Sequence, residues 1–307
     1  MIKAAIDVGS NSILLLVSEL IDGQWVPLRE ISTVTALGEG TKETGLLNEA
    51  RMSSTLEVLR NYQAVCDDME VNECLIGGTM ALRIAQNAKD FLSRADDQGT
   101  PVRVLTGDQE AELGFLAVAN DPLFANDARL SIIDPGGHST ELMTADREPE
   151  GNWRIKFRQS FAVGALGLRG TIIPDETPDF AQRLNAMDQI DSLLSFDYLP
   201  GQSGRAVVLG ATGTNLISIR EGYNDWLPNL VHGQILDFEE ISRAVGWLCD
   251  MTDAQRSQIV GLEKGREKTI HLGALILERF MQSIHVLEVT VSIRGWRHAL
   301  IESGWPS

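Results

Sequence analysis

Apolar and polar residues along the chain alternate between two textures, short β-type runs and longer stretches with helical spacing. Residues 2–8 and 12–20 read as strands joined by a polar loop, with Asp22-Gly23 as a hairpin turn into a third strand over 26–36. Met52, Leu56, Leu59, Tyr62 and Val65 recur one helical turn apart. They predict a helix over 48–69 with Asn48 as its cap. A strand over 73–78, a helix over 79–96, a strand over 102–105 and a helix over 109–120 complete the first half. The order β-β-β-α-β-α-β-α predicts an α/β unit whose sheet is partly antiparallel and extended by helix crossovers.

The second half restarts the pattern. Runs over 130–134, 139–145 and 153–161 predict three strands, followed by a helix around 178–196 and a strand over 206–210. The remainder is largely helical, over 238–251, 253–259 and 266–284, with a last strand over 286–292 and a terminal helix.

The two halves share a signature. The first strand ends in Asp7-Val8-Gly9-Ser10-Asn11-Ser12, and the strand at 130–134 ends in Asp134-Pro135-Gly136-Gly137-His138-Ser139-Thr140-Glu141. A strand fixes a carboxylate at its end, and glycines let backbone N–H groups approach an anion. Ser and Thr add hydroxyl donors. The carboxylate is suited to a divalent metal held through water. Two such loops facing one another across a cleft would grip a phosphate chain from both sides. Gly210-Ala211-Thr212-Gly213-Thr214, after another β-rich run, reads as a third phosphate loop at a helix N-terminus.

Composition narrows the function. The chain has 307 residues, 43% hydrophobic and 22% charged, which suits two domains, or one large one, with a real core. A net charge of −17 argues against nucleic acid or an anionic membrane as partner. It also means that a phosphate site must rely on local donors and metal. No apolar run is long enough to span a bilayer, and the N-terminal run breaks at Asp7, too early for a secretory signal. Cys66, Cys74 and Cys249 lack metal spacing and read as free thiols of a cytoplasmic protein.

Two further segments carry candidate chemistry. Thr106-Gly107-Asp108-Gln109-Glu110 places acids at a helix start, where the helix dipole accounts for Asp108. Glu110 is not assigned by spacing alone, and a carboxylate there could order a water for attack on phosphorus. Arg83, one turn into the helix after Gly77-Gly78-Thr79, reads equally as a bidentate phosphate ligand or as a surface ion pair. His271 and His285 read as helix-surface or packing residues, since no zinc spacing exists.

Taken in order, these blocks resemble the exopolyphosphatase/guanosine pentaphosphate phosphohydrolase (Ppx/GppA) family, in its short two-domain form. The likeness runs through Leu37-Gly38-Glu39-Gly40, Gly164-Ala165, Val231-His232-Gly233, Gly273-Ala274 and Val291-Ser292-Ile293-Arg294-Gly295 as well as the loops above. The resemblance implies two actin-like (ribonuclease H-like) α/β domains, each a mixed sheet flanked by helices, with the active site in the cleft between them. It places the first domain at 1–122 plus 296–307 and the second at 123–295. It makes Glu110 the catalytic acid that orients or deprotonates the attacking water. Asp134 and Glu141 become acids that hold Mg²⁺ or Mn²⁺ with its waters, supported by Asp7. Gly9, Ser10, Asn11 and Ser12 form one phosphate loop, and Gly136, Gly137, His138, Ser139 and Thr140 the other. Arg83, Gly210 and Thr212 join as phosphate contacts.

The implied activity is metal-dependent hydrolysis of a phosphoanhydride, first of inorganic polyphosphate and second of guanosine pentaphosphate. A non-catalytic binding or regulatory protein and a kinase are the rival readings. Short members of the family are often dimers, so a homodimer is the protein partner the resemblance adds. The chain departs from the family at Leu14 and Ala36, where basic residues are usual, and at Lys268 and Ile293, where acids are usual. It departs again at His138, which replaces a loop glycine and carries the expectation of a left-handed backbone there.

Overall fold

The computed structural model describes residues 1–194 and 201–306. The chain divides into two compact units, Met1–Leu113 with Trp296–Ser307, and Gly114–Gly295. The first division falls nine residues before the boundary expected from sequence, inside a helix. Among the described residues no helix is long and apolar enough to cross a membrane.

The first unit is built on β1 (Ile2–Val8), β2 (Ser12–Ile21), β3 (Gln24–Val34), β4 (Glu73–Gly78) and β5 (Arg103–Val104), in the order β3-β2-β1-β4-β5. β1, β2 and β3 pair antiparallel, and β4 and β5 add in parallel. Asp22 and Gly23 both have positive φ, the conformation of a tight two-residue hairpin turn. The helices are α1 (Thr41–Thr44), α2 (Glu49–Asp68), α3 (Met80–Ile84), α4 (Ala88–Asp97) and the start of α5 (Gly107–Ala119). Asn48 caps α2 as expected, accepting from Ala50 N and Arg51 N. One core joins α2 and α4 to the sheet through Leu56, Leu59, Tyr62 and Phe91.

The single helix expected over 79–96 is two helices. Ala85 is extended, and Asn87 makes two hydrogen bonds to Leu47, donating to its carbonyl at 3.0 Å and accepting from its N–H at 2.8 Å. Those bonds, with Gln86 N donating to Gly45 O, pull the backbone out of the helix.

The second unit repeats the topology. Its strands are β6 (Arg129–Pro135), β7 (Thr140–Arg147), β8 (Trp153–Phe161), β9 (Arg205–Val208), β10 (Ile235–Asp237) and β11 (Glu288–Val291), in the order β10-β11-β9-β6-β7-β8. β6, β7 and β8 pair antiparallel, while β9 joins β6 and β11 joins β9 in parallel. The run β8-β7-β6-β9-β11 therefore matches β3-β2-β1-β4-β5. The helices are α6 (Ala165–Thr171), α7 (Phe180–Leu193), α8 (Gly210–Glu221), α9 (Pro228–Val231), α10 (Phe238–Cys249), α11 (Asp253–Arg256) and α12 (Ile270–Ser283). Residues 195–196 of the expected helix over 178–196 lie outside the described residues. The apolar face of α12 closes one core, and Phe115 and Val118 of α5 close another with Phe124 and Val207. The terminal α13 (Trp296–Ser303) returns to the first unit and packs on β1, with the Trp296 ring against Gly77.

Candidate active site

In the first unit, β1 and β2 turn through the first signature loop. Gly9 N donates to Ser12 O at 3.0 Å, and a Cβ on Gly9 would stand 2.8 Å from that same oxygen, so only glycine fits. The carbonyls of the loop are tied inward. Gly38 N donates to Ser10 O at 2.8 Å, and Thr35 N and Ala36 N donate to Asn11 O. Ser10 Oγ accepts from Ala81 N at 3.2 Å, which joins the loop to the first turn of α3.

That turn carries Arg83. Its Nη1 donates to Glu110 Oε2 at 2.8 Å and to Leu105 O at 2.9 Å. The Arg83 and Glu110 side chains are only 17% and 11% exposed, so the pair is not a surface salt bridge. Thr106 and Gln109 cap α5 reciprocally, Gln109 N donating to Thr106 Oγ1 and Thr106 N to Gln109 Oε1, both at 3.1 Å. The cap fixes the turn from which Glu110 projects. Burial pushes the Glu110 carboxyl above the usual carboxylate range, and the Arg83 charge opposes that shift.

The second unit holds the matching half. Gly136 N donates to Ser139 O at 2.9 Å, and a Gly136 Cβ would again meet that oxygen at 2.8 Å. The carbonyls here are held by α6: Ala165 N donates to Gly136 O, and Leu166 N and Gly167 N donate to Gly137 O. Gly164 makes this approach possible, since a Cβ there would lie 2.4 Å from Gly137 C and His138 N. Thr140 is fully buried, and its hydroxyl donates to Val163 O at 2.7 Å. His138 is 1% exposed, and among the described residues Asp22, Ala36, Glu70 and His285 are the non-glycine residues with positive φ. The left-handed backbone expected at His138 is therefore not observed.

Asp134 and Glu141 are direct partners across β6–β7, which puts both side chains on one face of the sheet. Glu141 is buried and accepts a 2.6 Å hydrogen bond from Ser160 Oγ. Gly210 at the start of α8 has φ of 74°, and a Cβ there would stand 3.0 Å from Asp134 Oδ1. Glycine at 210 thus lets the Asp134 carboxylate lie beside the N-terminus of α8, where the helix dipole favours a negative charge. Thr212 is buried where α8 meets α12, with its hydroxyl against Gly273.

The expected site residues thus form two groups. Asp7, the 9–12 loop, Arg83 and Glu110 belong to the first unit. Asp134, the 136–140 loop, Glu141, Gly210 and Thr212 belong to the second. Among the described residues no group of three or more His, Cys, Asp or Glu side chains forms a metal cage. Two carboxylates on one face suit an ion that keeps most of its water, as Mg²⁺ does. Like charges placed directly opposite also repel unless a cation joins them. The residues therefore fit a hydrated divalent ion at Asp134 and Glu141.

Two contributors carried no role in the sequence reading. Gly164 was visible only as part of a block, and its packing against the 136–138 backbone appears only in three dimensions. Thr106 was legible, because Thr-x-x-Gln before an apolar run is a capping pattern.

With the geometry in place, the comparisons are direct. The Ppx/GppA phosphatase family matches residues 16–307. The chain belongs to that family. As a Ppx/GppA member it is an enzyme, a phosphoanhydride hydrolase. Exopolyphosphatase 1 of Mycobacterium tuberculosis is 24% identical over 306 residues, covering 96% of this chain and 86% of that protein. Exopolyphosphatase 1 of Mycobacterium leprae is 26% identical over 304 residues, covering 96% and 87%. The crystal structure of the Aquifex aeolicus Ppx/GppA family member superposes with a TM-score of 0.80 at 28% identity, covering 99% of this chain and 97% of that one. An exopolyphosphatase from Cytophaga hutchinsonii shares the fold, with a TM-score of 0.87 at 20% identity and coverage of 99% and 97%.

Proposed function

We propose that this enzyme is an exopolyphosphatase that removes the terminal phosphate of inorganic polyphosphate in the cytoplasm, with Mg²⁺ or Mn²⁺. The setting of Glu110 carries the reading. Its carboxylate is nearly buried and fixed through one oxygen by Arg83. A shielded carboxyl with a raised pKa is suited to orient a water and take its proton. Amide groups of the 9–12 and 136–139 loops, whose carbonyls are tied inward, would donate to phosphate oxygens. Asp134 and Glu141 would hold the metal, which supplies positive charge against the phosphoryl oxygens when bound. The names of the mycobacterial relatives support polyphosphate over other phosphoanhydrides.

The test is phosphate release by the purified protein with long-chain polyphosphate, guanosine pentaphosphate and ATP offered side by side. Glu110→Gln is expected to lower turnover on polyphosphate by ~10²–10⁴. Faster release from guanosine pentaphosphate would transfer the assignment to that substrate. Binding without release from any of the three would point to a regulatory protein.

A further inference from the structure

Around the first phosphate loop lie buried hydrogen-bonding groups that the fold itself does not use. β3 runs antiparallel to β2 up to Val34, which stands opposite Ser12. Thr35 therefore leaves the sheet beside Asn11, and its N–H donates to Asn11 O at 3.1 Å. The chain turns at Ala36, left-handed at φ of 51°, and Leu37 anchors the turn in the core. Gly38 N donates to Ser10 O at 2.8 Å, and Thr41 N donates back to Gly38 O at 3.1 Å. Residues 35–41 and the 9–12 loop are thus one backbone-linked body within the first unit.

Thr35, Thr41 and Asn11 are 2%, 1% and 8% exposed. Among the described residues, neither threonine hydroxyl has a hydrogen-bond partner, and nor does Asn11 Nδ2. Threonines buried elsewhere behave differently. Thr55, Thr100 and Thr140 each donate to a main-chain carbonyl, at 2.8, 3.1 and 2.7 Å. Buried polar groups nearly always find a partner in protein, water or ligand. An amide nitrogen only donates, and each hydroxyl has one hydrogen to give, so the three groups call for an acceptor. Glu39, the only acid from 35 to 42, is engaged by Arg51, whose Nε donates to it at 2.8 Å.

We propose that Thr35 and Thr41, with Asn11, bind a phosphate group of the polyphosphate chain through neutral donors, an inference that rests on the phosphate reading of the 9–12 loop above. Phosphate oxygens accept several hydrogen bonds and require none in return, which matches a set of two hydroxyls and one amide. Bonds from neutral donors to an ionised oxygen are stronger than bonds between neutral groups. Ala36 and Leu37, which lie between the threonines, bring no charge. Recognition here would therefore come from hydrogen bonds and not from a counter-charge.

The test places Thr35→Val and Thr41→Val, each nearly isosteric and lacking the hydroxyl, in a Glu110→Gln parent that slows turnover. Tripolyphosphate is titrated calorimetrically with Mg²⁺ present, and melting is followed without ligand. Each valine should weaken tripolyphosphate binding about tenfold, the loss of one hydrogen bond to a charged group. Neither should melt below the parent, because the hydroxyl removed has no protein partner. Thr100→Val is the control, since that hydroxyl donates to Ala95 O and accepts from Gln98 Nε2 at 2.9 Å. It should melt lower and bind as the parent does. The inference falls if the Thr35 and Thr41 variants bind as tightly as the parent. It falls equally if they melt lower, the mark of hydroxyls held by ordered water, or if the parent binds no tripolyphosphate. The exopolyphosphatase assignment fails separately, if wild type binds tripolyphosphate through these hydroxyls yet releases no phosphate from polyphosphate.

Discussion

Asp134 stands opposite Glu141 across β6–β7 in the register in which Asp7 stands opposite Leu14 across β1–β2. The same hairpin thus occurs twice, with the same Gly-to-Ser closing bond, once with two facing carboxylates and once with one. Directly opposed like charges cost about 0.2–1 kcal/mol. Glu141→Gln removes one charge and keeps the acceptor for Ser160 Oγ. The variant stripped of metal is therefore expected to be at least as stable as the wild type. It should lose most of the rise in melting temperature that Mg²⁺ gives the wild type. Melting curves with and without chelator decide this, and an undiminished Mg²⁺ increment would refute the pairing.

The Arg83–Glu110 pair makes a prediction in pH. Burial raises the Glu110 pKa and Arg83 restrains the rise, so the acid limb of kcat/KM should lie above the ordinary glutamate range. Arg83→Gln removes the restraint. Its acid limb should move to higher pH, with activity partly recovered as the pH is raised. The linkage has a definite sign. A carboxyl whose folded pKa is raised favours the native state below its unfolded pKa, and loses that contribution as the pH rises through the folded value. A pH–rate profile in which only the plateau falls, with the limb unmoved, would mean that Arg83 does not tune Glu110.

Much of this was legible in the chain. The strand-loop-strand blocks at Asp7 and Asp134 stood out because short continuous apolar runs and Asp-x-Gly turns are local signals. The capped helices at Asn48 and Thr106 were readable for the same reason. Long-range contacts were not. The break after Ile84 depends on Asn87 reaching Leu47, 40 residues away, and no local pattern encodes that. α6 was missed because Ala165–Thr171 is short and contains two glycines at Gly167 and Gly170. Its role, to hold the carbonyls of Gly136 and Gly137, comes from tertiary packing. His271 was read as a helix-surface or packing residue and is fully buried, with burial pushing its pKa down to about 2.

Gly164 and Gly210 separate two ways of damaging the second loop. Gly164→Ala places a methyl 2.4 Å from backbone atoms of the loop, where no side chain can swing aside. It should cost about 1–3 kcal/mol and displace the loop, lowering kcat. Gly210→Ala meets a carboxylate oxygen at 3.0 Å and a φ of 74°. The strain there is of order 1–3 kcal/mol and falls on Asp134. Metal titration should tell them apart, since Gly210→Ala should raise the Mg²⁺ requirement more than Gly164→Ala does. Equal metal requirements would remove Gly210 from the Asp134 environment.

Arg256 offers the sharpest stability test, because its guanidinium is completely buried and spends its donors on main-chain carbonyls. Nη1 donates to Leu248 O at 2.7 Å and Met251 O at 2.6 Å, Nε to Glu267 O at 2.5 Å, and Nη2 to Glu176 O at 3.0 Å. Asp253 supplies the counter-charge and is shared with Arg169 at 2.9 Å. One side chain thereby joins the end of α10, the turn into α11, the approach to α12 and the segment before α7. Arg256→Met would take the side-chain donors away from four carbonyls and leave Asp253 with one cation, at a cost of about 3–5 kcal/mol. Arg256→Lys should recover little of it, because an ammonium cannot reproduce the planar fork that reaches four separate oxygens. Urea unfolding of both variants measures the loss. A Lys variant as stable as the wild type would show that charge, and not the fork, holds these segments together.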